Sequence, residues 1–234
     1  MTTLSDPRAR LALAVDAPTL DAARRIIDDT ADHVGVFKIG LELLFAGGLD
    51  LARELAAAGR RVFLDVKLLD IDNTVAGAIR TIAGTGVEFV TLHAYPNTMA
   101  AAIAARGDAP LTLLGVTVLT SMDEADLHAA GYSGTPADLV EHRARAARAL
   151  GMDGLVCSAR EVARVRALVG PEMVLVTPGI RPAGADVGDQ KRVVTPAQAI
   201  RDGASLLVVG RPITAAEDRA GAARRILDEI ASAL

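Results

Sequence analysis

In the stretch FLDVKLLDIDNT (residues 63–74), three charged side chains, Asp65, Lys67 and Asp70, are crowded within six residues. Charges this close can hold one another as a salt bridge or can work together on a bound molecule. Two apart on a strand, Asp65 and Lys67 point to the same face. Charge on a strand covered on both sides is costly unless it is paired. Two explanations compete: a structural salt bridge at a strand end, and a catalytic array.

The elements that must position these groups read as a repeating βα pattern. Apolar runs suited to strands occur at 11–17, 35–40, 62–68, 89–95, 111–119, 154–159, 173–179 and 206–212. Helical periodicity fills the gaps, as in TLDAARRIIDDTADH, ADLVEHRARAARALG and the closing AAEDRAGAARRILDEIASAL. Continuously apolar strands imply a sheet covered on both faces, and strict βα alternation implies parallel strands. Eight such units in 234 residues suit a compact (β/α)8 TIM barrel, a fold that takes about 250 residues, as one domain spanning 1–234. An open doubly wound sheet is the other option, but no Gly-x-Gly-x-x-Gly follows the first strand. The segment 120–137 exceeds an ordinary loop and is expected to carry a short extra helix.

A barrel keeps its active site at the C-terminal ends of its strands. Those ends carry Asp16, Lys38, Asp65, Lys67, His93, Thr120, Ser158, Arg181 and Arg211. So many charges converging on one mouth favour the catalytic reading. VVGRPIT places Gly210 and Arg211 in the loop after the last strand, where many barrels hold a phosphate. Glycine admits an anion to the backbone there, and arginine offers a bidentate fork. The loop TPGIRPAGADVGDQKR adds Arg181 and Gln190. A phosphorylated substrate is the expectation. His93 suits a base, a ligand or a hydrogen-bonded core residue. Asp65, Asp70 and His93 offer hard ligands for Mg²⁺, but Lys38 and Lys67 bring two positive charges into the same space. The expectation is electrostatics without a metal.

Composition narrows the partners. Apolar residues make up 51% and charged residues 23%, with net charge −4 and no basic block, which argues against a nucleic-acid groove. The one cysteine, Cys157, forms no internal disulfide, suits a reducing cytoplasm and reads as a small buried hydrophobe. MTTLSDPRAR has no signal-peptide core, and no apolar stretch approaches the roughly 20 residues that span a bilayer.

The stretch LDVKLLDIDNTV resembles the Asp-x-Lys-x-x-Asp-Ile-x-x-Thr signature of the orotidine 5′-phosphate decarboxylase family. VTVLTSM, VTPGIRP, GDQKR and VVGRPIT are similar to its bacterial form, in the same order from Asp16 to Arg211. The resemblance implies cofactor-free conversion of orotidine 5′-phosphate to uridine 5′-phosphate and CO₂, the last step of pyrimidine nucleotide synthesis, in the cytoplasm. It implies that Lys67 protonates C6 of the base and that Asp65 lies beside the substrate carboxylate. Lys38 and Asp16 would bind ribose hydroxyls, and Thr120 would lie near the pyrimidine. Arg181, Gln190, Gly210 and Arg211 would hold the phosphate and its bridge to the base. It further implies a homodimer in which Asp70 and Thr74 serve the neighbouring subunit's site. The alternatives are a Mg²⁺-dependent phosphosugar decarboxylase or aldolase on the same barrel, expected to carry an acidic ligand where Lys38 stands, and a non-catalytic phosphate-ligand-binding barrel.

Overall fold

The computed structural model describes residues 6–182 and 194–234. Eight strands close a barrel in chain order: β1 (Leu11–Ala14), β2 (Val36–Gly40), β3 (Arg61–Leu68), β4 (Phe89–His93), β5 (Thr112–Val116), β6 (Gly154–Val156), β7 (Val174–Thr177) and β8 (Leu206–Val209). Every neighbouring pair is parallel, including β1 with β8, which closes the ring. This is the single-domain (β/α)8 barrel that the alternation predicts.

Strand periodicity divides the core into two layers. Ala12, Ala14, Val36, Phe63, Phe89, Leu114, Val176, Leu206 and Val208 pack together inside the barrel. The residues between them, such as Leu13, Phe37, Leu64, Leu92, Leu175 and Leu207, belong to the larger cluster under the helices. The helices are bounded by local chemistry. Thr19 Oγ1 accepts from the Ala22 amide at 3.3 Å to start Leu20–Thr30. Thr135 and Asp138 cap Pro136–Leu150 reciprocally, and Gly151 ends it in the left-handed region at φ 78°. Gly154 has a packing reason, because an added Cβ would lie 2.5 Å from the Val174 carbonyl oxygen on β7.

The predicted runs outlast the observed strands at most of their C-terminal ends, and those overhanging residues form the mouth. The long segment after β5 carries the helix Glu124–Ala129. One departure falls on the opening stretch. Strand β3 pairs Leu64 with Val90 and next Leu68 with Leu92, so four residues advance against two on β4. This bulge replaces the regular alternation expected across Asp65 and Lys67. Among the described residues, no helix is long and apolar enough to cross a membrane.

Candidate active site

The charged residues at or just beyond the ends of β1, β2 and β3 meet in one chain of contacts at the mouth. Lys38 Nζ lies 3.3 Å from Asp16 Oδ1 and 3.4 Å from Asp65 Oδ2. Lys67 Nζ donates to Asp65 Oδ1 at 2.7 Å. The order is therefore Asp16, Lys38, Asp65, Lys67, with signs alternating. Register explains the convergence: Ala14 is level with Lys38, and Gly40 with Asp65, so successive strand ends rise around the barrel. Lys38 is buried and Lys67 half-buried.

The fields of these groups set their protonation. Burial alone would raise the Asp65 carboxyl, but the charges of Lys38 and Lys67, with hydrogen bonds from Lys67 and Thr91, outweigh it and hold Asp65 below the usual carboxylate range. His93 is depressed by burial first, then by the positive charges of Arg143 and Lys67, so its imidazole is kept neutral. Its ring meets Tyr95 edge-on, with centroids 6.4 Å apart.

The array opens onto two adjoining cavities. One, of about 330 Å³, is lined by Asp16, Lys38, Asp65, Gly179, Arg181, Gly210 and Arg211 among others. This brings the two arginines after β7 and β8 into one space with the array. The other, of about 170 Å³, has Asp65, Lys67 and Thr120 on one side and Val116, Val118, Val156, Val176 and Val208 around the rest. Asp65 and Lys67 thus face a wall of valines contributed by β5 to β8, with Arg181 and Arg211 in the loops beyond β7 and β8. A depression of about 510 Å³ near Arg106, Asp153 and Met173 is larger, but it lies at the N-terminal ends of β5 to β7 and holds none of these residues.

Other candidates fall outside this space. Asp70 and Thr74 are exposed beyond β3, and Asp70 Oδ1 accepts from the Ile71 amide at 2.7 Å rather than touching Lys67. Of the two aspartates near Lys67 in sequence, only Asp65 pairs with it in this chain. Gln190 lies outside the described residues. Ser158 is buried and bound into its own turn, its amide donating to Glu161 Oε2 at 3.1 Å. Cys157 is buried beside the apolar cavity, and burial, with the charge of Glu161, pushes its thiol up to about 12, leaving it unreactive as a thiolate. Among the described residues, no three His, Cys, Asp or Glu side chains gather as a metal would require.

Some participants escape sequence reading. Thr91 Oγ1 donates to Asp65 Oδ1 at 2.9 Å and accepts from the Lys67 amide at 3.0 Å. Its only signal is a hydroxyl inside the apolar run FVTLHAY. Gly40 has a steric role, since an added Cβ would lie 2.8 Å from Asp16 Oδ1 and 3.0 Å from Lys38 Nζ. Arg143 is buried on the helix Pro136–Leu150 and donates to the Thr117 carbonyl and, at 3.2 Å, to Tyr132 Oη. Its guanidinium lies 4.7 Å from the Tyr95 ring centroid and 5.6 Å from that of Tyr132, tying the segment after β5 to the wall of the mouth.

Comparison with known proteins gives the same direction. Residues 9–226 match the model of the "Orotidine 5'-phosphate decarboxylase / HUMPS family". The chain is 57% identical over 231 residues to an orotidine 5′-phosphate decarboxylase of Rhodopseudomonas palustris (strain BisB5), covering 98% of each chain. It is 57% identical over 236 residues to that of Methylobacterium sp. (strain 4-46), covering both in full. The solved orotidine 5′-phosphate decarboxylase of Lactobacillus acidophilus superposes with a TM-score of 0.83 at 32% identity, over 95% of this chain and 99% of that one.

Proposed function

The chain belongs to the orotidine 5′-phosphate decarboxylase / HUMPS family, and on that premise we propose that it converts orotidine 5′-phosphate to uridine 5′-phosphate and CO₂ with Lys67 as proton donor to C6. It is a carboxy-lyase of pyrimidine nucleotide synthesis, with residues 1–234 acting as one catalytic domain in the cytoplasm. The observation that carries the mechanism is the Asp16–Lys38–Asp65–Lys67 chain beside an apolar cavity.

The C6–carboxylate bond breaks and leaves its electron pair in an orbital in the ring plane, where no π-system can accept it. Stabilisation must then be electrostatic and already in place. The Lys67 ammonium supplies the charge, transfers its proton to C6, and regains a proton from solvent. Two unit charges about 4 Å apart gain roughly 4 kcal/mol at an effective dielectric near 20. The hardest enzymatic reactions need barriers lowered by up to about 23 kcal/mol, so one lysine is not enough. Preorganisation supplies part of the difference. Asp65 and Lys38 hold Lys67 and one another, and the valine-lined side keeps water and its screening away from the base. The remote phosphate supplies more, through Arg181, Gln190, Gly210 and Arg211, whose binding energy holds the substrate against the array. Lys38 and Asp16 bind the ribose, Thr120 faces the pyrimidine, and Asp65 lies next to the departing carboxylate.

The working unit is a homodimer. Leu41, Phe45, Leu69 and Ile71 crown the adjacent ends of β2 and β3 and are exposed, Phe45 to 87% and Ile71 to 73%. Apolar side chains gathered at one edge are what an interface between copies covers. Asp70 and Thr74 stand on the same edge, turned from their own array and available to the partner's ribose. The Mg²⁺-dependent alternative is disfavoured by Lys38, whose ammonium occupies the end of β2 where an acidic metal ligand is expected. Loss of orotidine 5′-phosphate absorbance with purified protein in EDTA tests the activity. Turnover in EDTA is expected; none, or turnover only with added Mg²⁺, overturns the reading.

A further inference from the structure

Among the described residues, Lys67 alone other than glycine has a left-handed backbone, at φ 49°. A side chain there is strained and persists only where its surroundings over-determine it. The strain coincides with the β3 bulge, at the residue assigned to the chemistry. Thr91, wholly buried at 0% exposure inside β4, supplies the restraint. The Lys67 amide donates to its Oγ1 at 3.0 Å, and its hydroxyl donates to Asp65 Oδ1 at 2.9 Å. That same carboxylate oxygen accepts from Lys67 Nζ at 2.7 Å. Four groups therefore close a ring: the amide of Lys67, the Thr91 hydroxyl, the Asp65 carboxylate, and the ammonium of the lysine where the ring began. Packing does not require a hydroxyl at 91, since valine has the same shape. What valine lacks is the acceptor for the strained amide and the donor for the carboxylate.

We propose that Thr91 is a positioning residue for the decarboxylation: its hydroxyl holds the Lys67 backbone in the left-handed conformation that aims the ammonium into the cavity, and fastens Asp65 to the same frame. This rests on the reading of Lys67 as proton donor. Thr91 is too deeply buried to meet substrate and acts only through its two partners.

Thr91→Val and Thr91→Ser separate hydroxyl from volume. Misplacing the ammonium by a fraction of its reach should lower kcat about 10- to 100-fold in Thr91→Val. KM should stay within about threefold, because phosphate and ribose are held elsewhere, and Thr91→Ser should keep kcat within about threefold of wild type. Unchanged kcat in Thr91→Val, or equal losses in both variants, overturns the proposal. Hydrogen exchange at the Lys67 amide reads the clamp without activity, and should be about tenfold faster in Thr91→Val than in wild type or Thr91→Ser. Equal exchange in all three overturns the clamp. A wild-type protein inactive on orotidine 5′-phosphate, with the exchange difference intact, instead overturns the assigned reaction.

Discussion

At the scale of single residues, the site depends on charges that would be unfavourable alone. Lys38 is buried and stands between two carboxylates, and Asp65 stands between two ammonium groups. Lys67→Ala should remove about three orders of magnitude or more of turnover while leaving the circular dichroism spectrum unchanged, because it deletes both proton and charge. Near-wild-type turnover would exclude Lys67 as the acid. The pH dependence follows from Asp65. Its folded carboxyl titrates below the ordinary value, so its ionised contacts contribute stability fully above an unfolded pKa of about 4, and that contribution is lost as pH falls through the folded value. Asp65→Asn, which leaves two lysines facing each other, should lose about 2 kcal/mol at neutral pH, with the gap to wild type closing below about pH 4. Thermal melts across pH 2–8 would show it; a gap independent of pH would mean that the loss is one of packing.

At the scale of elements, the ends of β1 to β3 supply the charged array, and the loops after β5, β7 and β8 add walls around it. The helix Arg211–Thr214 begins directly after Gly210, with Pro212 in its first turn, so Arg211 leaves β8 at the rim of the cavity. Arg211→Ala should weaken uridine 5′-phosphate about 10- to 100-fold and uridine less than about twofold, since only the phosphorylated ligand uses a charge-assisted fork. Calorimetry on both ligands measures the difference, and equal losses would move the phosphate elsewhere. Gly40 shows an element serving its neighbours: β2 ends without a side chain so that Asp16 and Lys38 can approach each other.

At the scale of the whole molecule, a closed barrel has no free sheet edge, so copies of it associate through side chains rather than by adding strands, and grouped exposed apolar side chains are where to look. Those at the ends of β2 and β3 lie beside Asp70 and Thr74, and a two-fold pair of copies would bury them while exchanging those residues. Mixing Lys67→Ala with Asp70→Ala subunits should restore about a quarter of wild-type activity from two nearly inactive parents. Random exchange makes half the dimers mixed, with one intact site in each. Subunit exchange confirmed by native mass spectrometry without recovered activity would rule out a shared site.

The pattern of apolar runs determined the barrel by itself, because strand and helix periods are local and eight βα units leave few ways to bury every face. The order of charges along the strand ends marked Asp16, Lys38, Asp65 and Lys67, because a barrel collects all C-terminal ends at one mouth. Tertiary structure alone decided how they are held. Thr91 lies 24 residues beyond Lys67, and only the shifted register of β3 on β4 brings its hydroxyl level with the lysine amide. The left-handed turn at Lys67, the valine-lined half of the mouth and the outward placing of Asp70 arise in the same way. Spacing along a chain sets which face a residue takes, but contact between strands is set by register, which is an outcome of packing the whole barrel at once.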